Sequence, residues 1–382
     1  MKKLITFLGV VTTVAILALP AAARNLIAQP DSATQNQCAQ EMKDKLYESF
    51  LKNRRDDQAK AYEDAKKYLA CPAGADVGEA QQKIIDYLTR WATAYEDGMR
   101  KIRFTQLLYN ENKYQEAYAL GKEILAKEPD NLKVLIDMGA NGYLVAPLNN
   151  PSLTAEALDF ARRSLQQLDS GKTIEDWHPL AGRDVAVAYL NYTIGSLTLQ
   201  HDPGSALKHL IKAAQFETPL RKSPFTYAYI AGAYETGAYA KQSEEYKRIY
   251  SGKDETPESK LALANINQLI DRMIDGYARA VALAGNDPKY AEQKSLWRDN
   301  LTTWYKYRNN DSDAGMTELV AGVLSKPLPP EPTPLTSLPP TPAATPVGNS
   351  GTPEANGTAS APAGGTKPAA KPGTPDRPRH HR

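Results

Sequence analysis

The chain has 382 residues, 42% hydrophobic and 24% charged, so it can form one large domain or two ordinary ones. Its 46 basic and 44 acidic residues give a formal charge of +2, which excludes the strongly basic surface typical of nucleic-acid binding. Fifteen of the 27 prolines lie from Pro327 onward, whereas all 21 Tyr, 6 Phe and 4 Trp residues lie before it. The composition therefore predicts a folded body followed by a tail, with no nucleic-acid partner.

Residues 1–23 have the pattern of a secretory signal peptide. Lys2 and Lys3 precede an uncharged stretch, residues 4–23, that ends in the small residues Ala21 and Ala23. Cleavage after Ala23 would bring the formal charge to zero, and the body would be periplasmic or secreted. The alternative is an uncleaved anchor, since twenty apolar residues can span a bilayer, and only then do we expect contact with a membrane.

Export favours a disulfide between the two cysteines, Cys38 and Cys71, because oxidising compartments preserve such bonds. Residues 41–51 and 59–69 have helical periodicity, and the polar residues 53–57 separate them. An antiparallel helical hairpin would bring the two cysteines level with each other. A redox pair is the alternative, but the Cys-x-x-Cys spacing typical of one is missing.

From residue 31 to 325 the apolar residues recur at helical spacing, and no sustained strand pattern occurs, so the body is predicted to be all-α. The pairs Asp202-Pro203, Thr256-Pro257 and Asp287-Pro288 mark helix starts: the first residue caps the helix, and proline suits its first turn. Gly171, Gly252 and Gly285 mark predicted helix ends.

A repeat pattern is clearest in residues 99–131. Phe104-Thr105 is followed by Leu108, the turn 110–114, Ala117, Ile124 and Pro129. The spacing of these residues resembles a tetratricopeptide repeat (TPR). Lys101, Thr105 and Gly121 depart from the family's preferences. The resemblance implies helix pairs that stack into an α-solenoid with an inner groove.

Three further units share parts of this pattern. They open near Leu135, Ile194 and Tyr227, and their second helices are marked by Ala157, Ala206 and Ser243, the last after a predicted turn at 237–239. We therefore divide the body into an N-terminal helical cap with the hairpin, TPR-like repeats and a C-terminal helical segment. These regions are residues 31–98, 99–250 and 256–325, respectively. An unrelated helical bundle explains the two flanking regions equally well.

The body contains no recognisable catalytic motif. Ser170-Gly171-Lys172-Thr173 lacks the upstream glycine of a phosphate-binding loop, and the five histidines have no spacing typical of metal ligands. We therefore expect no enzymatic activity, no cofactor and no metal. An envelope hydrolase that acts on glycan through unrecognised carboxylates is one alternative, and a purely structural spacer is another.

The resemblance implies that first helices line the groove, where a protein or peptide partner would bind. Tyrosine suits such a surface because its ring supplies contact area and its hydroxyl a hydrogen bond. The alternative is that tyrosines at helical spacing belong to the core. The candidate binding residues are Arg103, Gln106, Tyr109, Asn110, Asn141, Tyr143, Tyr192 and Tyr229.

Residues 327–382 are predicted to be a disordered, proline-rich linker. They contain no aromatic residue, and proline favours extended polyproline geometry over a packed core. The segment 329–332 could instead be a ligand for an aromatic groove.

Overall fold

The computed structural model describes residues 38–71 and 77–338 and divides the chain into two compact units, residues 1–96 and 97–382. The described residues form thirteen α-helices, joined by loops and short 3-10 and π turns, and include no strand, which confirms the all-α class. The helices are α1 (Gln40–Asn53), α2 (Gln58–Leu69), α3 (Glu79–Thr105), α4 (Tyr114–Lys127), α5 (Leu132–Ala140), α6 (Pro151–Asp169), α7 (Arg183–Thr198), α8 (Pro203–Gln215), α9 (Pro224–Tyr234), α10 (Ala240–Tyr250), α11 (Pro257–Ala284), α12 (Ala291–Arg308) and α13 (Met316–Gly322).

The first unit confirms the predicted hairpin. Helices α1 and α2 pack against each other, and a disulfide joins Cys38 to Cys71, whose Cα atoms are 5.4 Å apart. The aromatic ring of Phe50 is fully buried, with the Trp91 ring edge-on at 5.0 Å between ring centroids. The N-terminus of α2 is capped by Asp57, which accepts a hydrogen bond from the backbone N–H of Lys60 at 3.0 Å.

In the second unit, successive helices from α4 to α9 pack against one another, which gives a solenoid-like series of helix pairs. Glycines allow the backbones to approach closely. A Cβ added to Gly139 of α5 would lie 2.8 Å from the Cα of Ala161 in α6. One added to Gly195 of α7 would lie 3.1 Å from the carbonyl oxygen of Ala206 in α8. The small residues of the repeat pattern therefore lie at helix contacts.

The fourth predicted pair forms differently, because there is no turn at residues 237–239. Glu235–Tyr239 is a π turn with right-handed helical residues on both sides, so α9 continues into α10. Gly237 packs against α8 instead: a Cβ there would lie 3.3 Å from the Cβ of Pro203. Helix α9 packs against α11, where Gly276 allows a close approach to Ala231.

The C-terminal boundary also differs from the prediction. Residues 327–338 belong to the predicted disordered tail, yet they lie along α11 without regular secondary structure. Side chains of α11 hydrogen-bond to the backbone of this segment. These hydrogen bonds hold it in place although its composition provides no hydrophobic core. Residues 339–382 and the predicted signal peptide, residues 1–23, lie outside the described residues.

Within residues 38–71 and 77–338, every helix is too short or too polar to cross a bilayer.

Candidate functional site

A pocket of about 150 Å³ lies in the second unit between α5, α7 and the loop that joins α6 to α7. Three tyrosine rings and several aliphatic side chains line it, with one amide side chain among them. We call it the tyrosine pocket; its lining residues are Tyr109, Ala140, Asn141, Tyr143, Pro179, Leu180, Ala181, Val185, Tyr189 and Pro219. Three of the eight predicted binding residues, Tyr109, Asn141 and Tyr143, are therefore brought together.

A buried carboxylate holds Tyr109 in place. The Tyr109 hydroxyl donates a hydrogen bond to Asp137 Oδ1 at 2.8 Å, and the Lys133 ammonium group forms an ion pair with the same carboxylate. Burial raises the pKa of the Asp137 carboxyl above its usual range, although Lys133 and Tyr109 both act to lower it. Asp137 has an exposed fraction of only 1%, a burial that no sequence pattern distinguishes from that of the other carboxylates.

The same residue and its neighbours position Asn141. The Asn141 side-chain amide donates a hydrogen bond to the backbone carbonyl of Asp137 at 2.9 Å. The next turn begins beside it, where the backbone N–H of Tyr143 donates to the hydroxyl of Thr193 in α7 at 3.2 Å. This wall of the pocket is thus attached to both α5 and α7.

The remaining predicted tyrosines form a row of ring contacts behind the pocket. The Tyr143 ring lies 5.9 Å from Tyr189 and 5.2 Å from Tyr192, and the Tyr192 ring lies 6.1 Å from Tyr229. Tyr192 is fully buried, and its hydroxyl has no hydrogen-bond partner among the described residues. It supports Tyr143 from within the core, as the core alternative for these tyrosines anticipates, and cannot itself contact a partner. Tyr229 is half-buried at the far end of the row.

The three candidates at the end of α3 do not line the pocket. The Arg103 guanidinium forms an ion pair with Glu111, with Nη2 3.2 Å from Oε2. Gln106 and Asn110 are exposed in the π turn that follows α3.

Sequence reasoning missed the residues that close the pocket on its other side. Pro179, Leu180 and Ala181 come from the loop after α6, and Val185 from the first turn of α7. The peptide bond between His178 and Pro179 is cis. The available signal was the apolar Pro179-Leu180-Ala181 run in the loop after α6, but its position over α5 depends on tertiary packing.

The structure also shows what the buried Asp137 and the half-buried Glu235 contact. Asp137 binds Tyr109, and Glu235 accepts a hydrogen bond from the Tyr277 hydroxyl at 2.5 Å. Across residues 38–71 and 77–338, no three His, Cys, Asp or Glu residues group together as metal ligands would.

No protein-family model, curated protein or solved structure matches the chain.

Proposed function

We propose that this protein is an exported, non-enzymatic binding scaffold that captures a protein or peptide segment by taking one of its apolar side chains into the tyrosine pocket. The observation that carries the proposal is the pocket itself: a small, preformed, aromatic-lined cavity where α5 and α7 pack against each other. Its position agrees with the groove implied by the resemblance to TPR proteins. The helix pairs of the second unit are, in this proposal, TPR-like repeats.

The size of the pocket favours a side chain over a small-molecule substrate. A cavity of about 150 Å³ holds one benzene-sized ring, whereas sites for drug-sized ligands occupy about 300–1,000 Å³. Burial of one large apolar side chain contributes about 1.5–3 kcal/mol. A tight complex would therefore need further contacts, and the exposed Gln106 and Asn110 are candidates for them.

The pocket walls are also fixed before a ligand arrives. Tyr109 is bonded to Asp137, and Asn141 to the backbone of α5, so neither side chain must be ordered on binding. Preorganisation of this kind lowers the entropic cost of association.

Export is supported by the Cys38–Cys71 disulfide, since such bonds persist in oxidising compartments. We therefore propose a periplasmic or secreted location, which the signal-peptide pattern of residues 1–23 also predicts.

The test is a selection of random peptides displayed on phage against the mature chain, followed by affinity measurements on the selected peptides. We expect them to share one aromatic or large aliphatic residue, and its replacement by alanine should weaken binding at least tenfold. Ala181→Trp places a bulky ring at the exposed edge of the pocket and should weaken binding to a similar extent.

The matched control is Ala80→Trp, which adds the same ring at an exposed position in the first unit. It should leave the affinity unchanged. Selected peptides that bind equally well to the Ala181→Trp variant would refute the pocket as the binding site. A selection that enriches no peptide would instead favour the spacer alternative.

A further inference from the structure

Residues 326–338, which we call the strap, run antiparallel to α11 and are held by its polar side chains. The α11 face is formed by Asn265, Gln268, Arg272 and Arg279. These four side chains make six hydrogen bonds to the strap, and every one involves the strap's backbone.

The contacts follow the chain direction from the C-terminal half of α11 toward its N-terminus. Arg279 Nη2 donates to the carbonyl oxygens of Lys326 and Pro327 at 3.0 and 2.8 Å. Arg272 Nε donates to the carbonyl of Pro330 at 2.7 Å.

The last two contacts lie nearer the N-terminus of α11. The side-chain amide of Gln268 donates to the carbonyl of Thr333 at 3.3 Å. The side chain of Asn265 makes two bonds with the backbone of Leu335: it accepts from the N–H at 2.7 Å and donates to the carbonyl at 3.2 Å.

Three of the five contacted strap residues have the spacing of a polyproline II helix, which has three residues per turn. The carbonyls of Pro327, Pro330 and Thr333 recur every third residue. Half-buried Pro329, Pro332 and Leu335 have the same period, and Leu328 is half-buried in addition. One edge of the strap therefore faces α11 throughout.

The two arginines of the α11 face are spaced to match one turn of a polyproline II helix. Arg272 and Arg279 are seven residues apart, a rise of about 10.5 Å along an α-helix. One polyproline II turn, from Pro327 to Pro330, advances about 9.3 Å. The carbonyls of Pro327 and Pro330 are thus spaced nearly as far apart as the two arginines that bind them, and the long arginine side chains span the small difference.

The recognition is largely independent of the strap's side chains. Proline has no backbone N–H but keeps its carbonyl as an acceptor, and five of the six hydrogen bonds go to carbonyls. Only Leu328 packs against the main hydrophobic core. Selectivity therefore depends on an extended, proline-rich conformation more than on a particular sequence.

We propose that the α11 face is a binding site for extended proline-rich polypeptide, which the strap occupies in cis and which a proline-rich segment of another chain occupies when the strap is released. The site shares no residue with the tyrosine pocket, so this inference does not depend on the proposed function. Because the strap is tethered, its effective concentration is high, and a free peptide should compete poorly with the intact chain.

The test uses the full mature chain and a fluorescent 13-residue peptide with the sequence of residues 326–338. Leu328→Asp with Leu335→Pro weakens the strap in cis, because it removes the core contact and the N–H that binds Asn265. We expect the peptide to bind this released chain at least tenfold more tightly than it binds the wild-type chain. Adding Asn265→Ala, Gln268→Ala and Arg272→Ala to the released chain should abolish binding.

A second peptide in which every proline is replaced by glycine is the matched ligand control. It keeps the carbonyls but loses the preset extended conformation, so it should bind at least tenfold more weakly. Absence of binding to the released chain, or equal binding after the three α11 substitutions, would overturn the proposal.

Hydrogen exchange in the otherwise intact chain provides a measurement that needs no released variant. The Leu335 amide should be protected in the wild type, and Asn265→Ala should speed its exchange at least tenfold. Equal exchange in both proteins would count against the strap as an occupant of a binding site. Circular dichroism and amide protection within α11 would establish that each variant remains folded.

Discussion

Substituting Gly139 tests the close helix packing of the second unit. An added Cβ at this position would lie 2.8 Å from the Cα and 2.9 Å from the backbone nitrogen of Ala161, and 2.7 Å from Cδ2 of Leu190. The Leu190 side chain can rotate, but the backbone of α6 cannot. Gly139→Ala must therefore push α5 and α6 apart.

The magnitude follows from two opposing effects. Overpacking a well-packed core costs about 1–3 kcal/mol, and alanine regains about 1 kcal/mol over glycine within a helix. Backbone atoms make the clash, so we expect a net loss of about 1–2 kcal/mol of unfolding free energy. For a cooperative unit of this size, that loss lowers the melting temperature by about 2–8 °C.

The matched control is Gly232→Ala in α9, where nothing lies within 4 Å of an added Cβ. That variant should be up to about 1 kcal/mol more stable than the wild type, because only the helix propensity changes. Thermal unfolding followed by circular dichroism compares the three proteins. If Gly139→Ala were as stable as Gly232→Ala, the close contact between α5 and α6 would be wrong.

Three further predictions concern stability. Replacing Cys38 and Cys71 by serine opens a link across 33 residues of sequence and should destabilise the first unit by about 4 kcal/mol; unchanged hydrogen exchange in α1 would contradict this. Burial raises the pKa of the Glu235 carboxyl above its ordinary 4.5, so the folded state binds the carboxyl proton more tightly than the unfolded state does. The free energy of unfolding of the wild type should therefore fall as pH rises from 4.5 through the folded-state pKa. Glu235→Gln keeps an acceptor for Tyr277 and should reduce that fall in urea unfolding between pH 5 and 7, whereas an unchanged slope would exclude Glu235 as its source. Asp202→Ala removes the side chain that accepts from the Ser205 amide at 2.9 Å and should cost about 1 kcal/mol in urea unfolding, and no change would mean that this cap contributes nothing.

The sequence was sufficient to predict the helices, the hairpin and the disulfide, because local periodicity and capping residues determine them. It was insufficient at Gly237, where glycine suggested a turn. The small side chain instead allows contact with Pro203 of α8, a residue 34 positions earlier. Composition alone cannot distinguish a glycine that bends the backbone from one that lets a neighbour approach.

The candidate site also combines residues that local sequence patterns predict with residues that only tertiary packing brings together. Tyr109 and Tyr143 were predicted as binding residues from the helical register. The same register also selected Tyr192, which is fully buried and contacts the Tyr143 ring from within the core. The other half of the pocket depends on where the loop around Leu180 folds back, which no local pattern encodes.

The strap was missed for a related reason. A segment without aromatic residues has no core of its own, yet residues 47 to 70 positions away supply donors for its backbone. Hydrogen bonds between one helix face and the backbone of a distant extended segment produce no periodic pattern in the sequence of the helix or of the segment.

The antiparallel course of the strap determines how the body would respond to a mechanical load on the chain that continues beyond residue 338. A pull directed onward along α11, past Asn265, stretches the six hydrogen bonds together, so they resist in shear. A pull directed away from the helix breaks the two Leu335 bonds first and then opens the others one by one toward Arg279. The same attachment is therefore strong in one direction and easily peeled in another.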